Sequence, residues 1–353
     1  MKFAVFGYET NNLGDDIQSL AAALHASAVD RVVLRDAIGA TEIDEPHGLI
    51  LNSWMSRGPD LRPPPPNFAP ITFGFCLGND DILEHGWLDY LRAHQPIGCR
   101  DQYTVGALEA HGVAAFWTGC LTLFIGRRIE RPAKPREGVL FVDVAKAAEG
   151  RVIPEELCRR AERISTYPPP AIIGDQIERY AMASRLLARV SSAELVVTRR
   201  LHIALPCISL GTPVVILAEA RYGKARRRYQ GFEEILPITF LDDVERLSEE
   251  QFADLATHKP IIPAALETHY ASLLERLTKI DRLSAAVEPL EGPSSIERRA
   301  PNPDRAARPR DVVLSCGSLC HRARVTNWSD RQIRAEAPRF LGADRFDMTL
   351  ALA

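Results

Sequence analysis

Two arginines and a histidine in a single turn set the chemistry open to this chain. Arg199, Arg200 and His202 fall between two β-branched runs in VVTRRLHIALPCISLGTPVVIL, from Val196 to Leu217. Ala193 to Thr198 predicts a buried strand and Val214 to Leu217 another, with Gly211, Thr212 and Pro213 ending the helix between them. Proline is tolerated in a first turn, so Pro206 predicts a helix that begins near His202 or Ile203. The basic residues then stand at the carboxyl end of a strand and the amino end of a helix. In an open α/β sheet ligands bind at that edge, where free amides and two guanidiniums favour an anion. Taken alone, a solvated basic turn would read the same way.

Other stretches repeat the arrangement. Ile97-Gly-Cys-Arg100-Asp101 ends a short strand and starts a helix through Thr104 and Leu108, with Asp101 either orienting Arg100 or capping the helix. At the amino terminus the strand KFAVF runs into a polar loop bearing Asn12, Gly14 and Asp15. The helix that follows carries the stripe Ile17, Leu20, Ala21 and Leu24, and Asp15 or Asp16 can cap it. GxGxxG is missing, so no dinucleotide is indicated. Asn12, Gly14 and Asp15 are either cap chemistry or partners of a polar ligand. Asn52 and Trp54 follow the strand Gly48 to Leu51, and the indole is either a wall for a sugar ring or a core lid. Ala218 to Gly231, with Lys224, is a basic loop that either closes on an anion or is a solvated charge run.

These residues need a scaffold, and the periodicity supplies an α/β one. Strands are predicted at Arg31 to Leu34, Ile71 to Leu77, Trp117 to Phe124, Val139 to Val144 and Arg163 to Thr166. Helices are predicted at Ile82 to His94, Glu155 to Glu162, Ile177 to Val190, Ser248 to Ala256 and Ala264 to Ala286, the last long enough to pack across two domains. With 353 residues, about two domains of ~150 residues are expected. The charged, proline-bearing run Arg127 to Glu137 is the best boundary. It divides residues 1–130 from 138–290; an Arg/Pro-rich linker at 291–310 and an unassigned tail at 311–353 follow.

Composition excludes several classes. An apolar share of 46%, a charged share of 25% and a net charge of −3 describe an ordinary globular protein, with no case for nucleic acid. No apolar run is long enough to span a membrane, so membrane association is at most peripheral and the expected location is cytoplasmic. The seven cysteines are scattered, as free thiols in a reducing compartment would be. Cys316 and Cys320 have no second ligand pair at a zinc-finger spacing.

Five motifs in order resemble the polysaccharide pyruvyl transferase family over roughly residues 3 to 240: Asn12-Leu-Gly14-Asp15, Asn52-Ser-Trp54, Gly98-Cys-Arg100-Asp101, Thr118-Gly-Cys-Leu-Thr-Leu123, and Arg200-Leu-His202 with its Gly-Thr-Pro. Serine replaces the family's glycine before Trp54, Phe73 to Gly78 is a looser match, and the linker and tail lie outside the pattern. The resemblance implies two facing Rossmann-like domains of the glycosyltransferase-B type, acceptor side first and donor side second. It implies transfer of a carboxyvinyl-derived group from phosphoenolpyruvate to a sugar as a ketal, in exopolysaccharide or cell-surface glycan synthesis, with no cofactor or metal. It gives His202, Arg200 and Arg100 catalytic roles, and assigns substrate binding to Asn12, Gly14, Asp15, Asn52, Trp54, Asp101, Arg199 and Lys224. Its partners would be phosphoenolpyruvate and a sugar or lipid-linked oligosaccharide, with a homo-oligomer left open. The alternatives on the same fold are a nucleotide-sugar glycosyltransferase and a non-catalytic glycan-assembly protein.

Overall fold

β-Branched and aromatic residues build two parallel sheets. The computed structural model describes residues 1–27, 29–56, 62–129, 135–219, 226–286 and the segments 311–315, 320–329, 332–336 and 351–352. In the first sheet β1 (Lys2–Gly7) lies between β2 (Val29–Leu34) and β3 (His47–Ile50), and β3 pairs with β5 (Phe68–Ile71). Helix α1 (Leu13–His25) makes the crossover from β1 to β2. Two short pairs follow, β4 (Trp54–Met55) with β6 (Cys76–Leu77), and β7 (Ile97–Cys99) with β8 (Ala115–Trp117). Helix α2 (Trp87–Ala93) precedes β7, and α3 (Gln102–Ala110) connects β7 to β8.

The second sheet contains β9 (Val139–Val142), β10 (Glu162–Ile164), β11 (Leu195–Thr198), β12 (Val214–Ala218) and β13 (Ile238–Phe240), in the order β10-β9-β11-β12-β13 and parallel throughout. Every residue of β9, β11 and β12 is buried, as expected of a sheet covered on both faces. Its crossovers include α4 (Glu155–Arg160), α5 (Gln176–Ser192) and α6 (Leu201–Leu210). Helices α7 (Glu249–Thr257) and α8 (Ala264–Ala286) complete this part. The segments at 311–315, 320–329 and 332–336 form an antiparallel meander whose last strand pairs with β2 at Ile333 and Val32.

One apolar core joins the two sheets. Ile17, Leu20 and Ala21 of α1, Leu187 and Val190 of α5, Leu201 and Leu205 of α6, and Leu266, Tyr270 and Leu273 of α8 belong to the same buried cluster. Polar ties cross the same layer. Tyr8 N donates to Gln176 Oε1 at 2.9 Å and Gln176 Nε2 donates to Tyr8 O at 2.8 Å. Deeper, Arg179 of α5 grips Asp16 of α1 with two bonds, Nε to Oδ1 at 3.1 Å and Nη2 to Oδ2 at 2.8 Å, both side chains being 0% exposed.

The local expectations differ from the structure at five places. Ile71 to Leu77 is not one strand: β5 ends at Ile71, Gly74 turns with φ 78°, and β6 begins at Cys76. Asn12, not Asp15 or Asp16, caps α1: its extended backbone lets the side chain accept from Gly14 N, and both aspartates lie inside the first turn. Helix α6 begins at Leu201, with Arg200 as its cap, and holds Pro206 in its interior. Trp117 to Phe124 is not one strand. β8 ends at Trp117, Gly119 turns with φ 67°, and a 3-10 helix spans Leu121–Arg127. Likewise Ile82 to His94 is broken at Gly86, φ 84°, into a 3-10 turn and α2. The proposed boundary Arg127 to Glu137 lies partly outside the described residues, and the 291–310 linker wholly so.

The Asp16–Arg179 pair yields a prediction. Arg179→Met strands a buried carboxylate and should cost about 3–5 kcal/mol in urea denaturation, and adding Asp16→Leu should recover most of that loss. An exposed pair would show neither effect.

Candidate anion-binding site

The carboxyl ends of the strands from both sheets meet at one cleft, lined by Asn12, Gly14, Asp15, Trp54, Arg100, Arg200, Leu201, His202 and Arg228. Arg200 is aimed by its own turn. Thr198 Oγ1 donates to Val142 O at 3.0 Å and accepts from Arg200 N at 2.9 Å. Asp143, at the end of β9 with φ 51°, accepts from Ser165 Oγ at 2.7 Å and from Arg200 Nε at 2.7 Å. Burial alone would raise the Asp143 carboxyl, but hydrogen bonds from Thr166, Ser165 and Arg200 outweigh it and hold the group below the usual carboxylate range. The ring of Tyr167 lies 4.8 Å from the Arg200 guanidinium.

Arg100 leaves β7 fully buried, at 0% exposed. Its Nη2 donates to Asp101 Oδ2 at 3.3 Å and its guanidinium sits 5.1 Å from the Trp54 ring. Arg228 lies 5.9 Å from the same ring and donates from Nη2 to Tyr229 Oη at 3.0 Å. Gly14 allows α1 to close on this cluster: a Cβ there would lie 3.1 Å from Asn12 Oδ1 and 3.3 Å from His202 Cβ.

Five nitrogens of these side chains have no hydrogen-bond partner among the described residues: Arg100 Nε and Nη1, Arg200 Nη2, Arg228 Nε and His202 Nε2. Each such buried group costs ~1–3 kcal/mol, and the four guanidinium nitrogens suit an oxygen-rich anion that would satisfy them together. Electrostatics point the same way. Burial, then the fields of Arg100, Arg228 and Arg200, push the His202 pKa well below 6.5 and leave the ring neutral. Burial also raises the Asp15 carboxyl, against the pull of Arg35, Thr10, Arg179 and Arg100; Thr10 Oγ1 donates to it at 2.7 Å. The site therefore combines three cations, a neutral imidazole and a carboxyl group of raised proton affinity. That set can bind a multiply charged anion and exchange protons beside it.

Of the residues singled out in the sequence, Asn12, Gly14, Asp15, Trp54, Arg100, Arg200 and His202 line this cleft. Asn52 does not. It is 1% exposed, with Nδ2 donating to Gln18 O at 3.0 Å and Oδ1 accepting from Leu121 N at 3.1 Å. Asp101 stands behind Arg100 and caps α3 through Thr104 N at 2.9 Å. Arg199 turns away to Glu219 and to Tyr167 Oη. Lys224 lies outside the described residues. Arg228, Asp143 and Tyr167 were missed. Arg228 belongs to the basic loop in which Lys224 was preferred, and Asp143 closes a predicted strand, so both had a signal in the sequence. Tyr167 had none.

Comparison with known proteins fits this geometry. Residues 69–221 match the family model described as polysaccharide pyruvyl transferase, the family whose motifs the sequence resembles. The matched span holds Arg100, Asp143, Arg200 and His202; Asn12, Asp15, Trp54 and Arg228 lie outside it. No curated protein matches. A solved structure of an uncharacterized protein from Klebsiella pneumoniae subsp. pneumoniae is similar at 12% identity, covering 65% of this chain and 87% of that one. Its TM-score is 0.37. Among the described residues no helix is long and apolar enough to cross a membrane, and no cluster of three or more metal-ligating side chains occurs.

His202 gives the protein a pH signature. Its folded-state pKa is depressed, so the unfolded chain binds the proton more tightly. The stability it contributes is complete above pH 6.5 and is lost as pH falls through that value toward the lowered folded one. The loss should reach about 1.4 kcal/mol per pH unit. In denaturant titrations between pH 7 and pH 5, His202→Gln should flatten this slope.

Proposed function

We propose that the protein is a pyruvyl transferase that uses phosphoenolpyruvate and leaves a pyruvate ketal on a sugar during cell-surface glycan synthesis. The observation that carries the reading is that Arg100, Arg200, Arg228 and His202, which together hold five buried nitrogens without a partner among the described residues, line one cleft. Phosphoenolpyruvate brings a phosphate and a carboxylate, and the planar forks of three arginines suit both.

The chemistry follows from the site. The methylene carbon of the donor takes a proton, which makes the adjacent carbon electrophilic. One sugar hydroxyl adds there and loses its proton; the C–O bond to phosphate then breaks, and the second hydroxyl adds to close the ketal as its proton passes to the departing phosphate, which leaves as hydrogen phosphate. His202 is the group to deliver the proton. Burial and then the fields of Arg100, Arg228 and Arg200 keep the ring neutral; a bound phosphate would offset those fields and so raise its proton affinity when the donor is in place. Asp15, already raised by burial, is placed to receive a hydroxyl proton. The guanidiniums stabilise the departing phosphate. In this reading the two sheets belong to facing domains of glycosyltransferase-B type, residues 1–130 and 138–290, with the cleft between them. The setting is the cytoplasmic side of a membrane that carries the acceptor.

Calorimetric titration with phosphoenolpyruvate tests the reading. The wild-type protein should bind it, and Arg200→Ala and Arg100→Ala should each weaken binding by about 10–100-fold, the worth of a charge-assisted pair. His202→Ala should keep the binding heat and lose turnover. Binding of a nucleotide sugar in place of phosphoenolpyruvate would instead establish the glycosyltransferase alternative.

A further inference from the structure

A second hollow opens on the other side of Trp54. It shares Trp54 and Arg228 with the anion cleft and is otherwise walled by Gly78, Asn79, Asp80, Tyr103 and Arg227, among others. Its polar groups are already arranged. Tyr103 Oη donates to Asp80 at 2.8 Å and 2.9 Å, while Arg227 Nη1 reaches Tyr103 Oη at 2.6 Å and Asp80 Oδ2 at 3.3 Å. A carboxylate beside a guanidinium offers an acceptor and a donor to adjacent hydroxyls, and Tyr103 and Trp54 supply aromatic surface. The indole is fixed on this side, because a Cβ on Gly78 would fall 1.7 Å from Trp54 Nε1.

Charge separates the two hollows. The cleft is lined by Arg100, Arg200 and Arg228 beside Asp15, with Asp101 and Asp143 paired behind Arg100 and Arg200, whereas the hollow is lined by two carboxylates, Asp80 and Asp101, and two guanidiniums, Arg227 and Arg228. A site of balanced sign with aromatic walls suits a neutral polyhydroxyl ring rather than a second anion. Its common wall with the cleft puts such a ring beside the reacting carbon of a bound donor.

We infer that the hollow between Trp54, Asp80, Tyr103 and Arg227 is the acceptor subsite, and that it takes a neutral pyranoside. The inference rests on the transferase proposed above. The residues come from both parts of the chain, so the 226–232 segment docked against α3 by Gln102 N to Gln230 O at 3.0 Å completes the subsite.

Methyl β-galactopyranoside and methyl β-glucopyranoside are the probes, followed by saturation-transfer NMR on the full chain in the presence of phosphoenolpyruvate. Wild type should bind at least one of them, and Tyr103→Ala and Asp80→Asn should each weaken it about tenfold with the phosphoenolpyruvate heat unchanged. Asp80 is an exposed position, so Asp80→Asn serves if Tyr103→Ala does not fold. Pyranoside binding that both variants keep, or none by wild type, overturns the subsite. Pyranoside binding weakened as expected in a protein that ignores phosphoenolpyruvate would keep the subsite as a sugar site and remove the transferase reading.

Discussion

A carboxylate and a guanidinium that no water reaches hold α1 against α5, and the position of Asn12, Gly14 and Asp15 relative to Arg200 and His202 depends on that contact. Asp16 and Arg179 come from helices that pack on different sheets, and each is 0% exposed. Taking two charges out of water is expensive, so the pair is a poor device for stability alone and a good one for register. Arg179 Nη1 also holds Thr10 O at 2.7 Å, which fixes the loop carrying Thr10, Asn12 and Asp15. Leu13 N donates to Thr166 O at 2.8 Å on the same boundary. Slippage between α1 and α5 would move Asn12, Gly14 and Asp15 relative to Arg200 and His202.

The cleft is assembled against its own electrostatics. Three guanidiniums around one buried imidazole repel one another and disfavour a charged ring, so each is held by something behind it. Asp143 and Tyr167 hold Arg200, Asp101 and Trp54 hold Arg100, and Tyr229 and Trp54 hold Arg228. These supports leave Arg100 Nε and Nη1, Arg200 Nη2 and Arg228 Nε without a partner among the described residues. Fixed donors that need no rearrangement are how a site stabilises charge that moves during a reaction.

Trp54 links the anion cleft to the hollow beside it. In the proposed transfer one wall would serve both partners, since donor and acceptor must approach within bonding distance. Its placement depends on Gly78, on the bend after β3, and on Asn52, whose amide closes that bend onto Gln18 O and Leu121 N. Asn52 thus acts one step removed from any ligand, by placing the indole. Gly74 belongs to the same construction: with φ 78°, a Cβ there would meet Asn52 Oδ1 at 2.2 Å.

By itself the sequence determined the parallel α/β character, because β-branched runs alternating with amphipathic stretches cannot bury their faces otherwise. It determined the strand-end positions of Arg100 and Arg200, because each follows a short apolar run, and the Gly-Thr-Pro stop marked where α6 ends. It also determined the family resemblance, which depends on motif order. Tertiary structure decided which of several equivalent polar residues reach the cleft. Asn52 reads locally as a ligand-binding asparagine, yet the crossing of α1 and the 121–127 turn takes all its bonding groups. Arg199 and Arg200 are adjacent and identical in type, and only the places of Glu219 and Asp143, distant in the chain, send one outward and the other in. Arg228 entered through the docking of 226–232 on α3, a contact between segments more than a hundred residues apart. Periodicity and caps are read over a few residues, whereas the partner that fixes a side chain's direction is chosen by the packing of the whole chain.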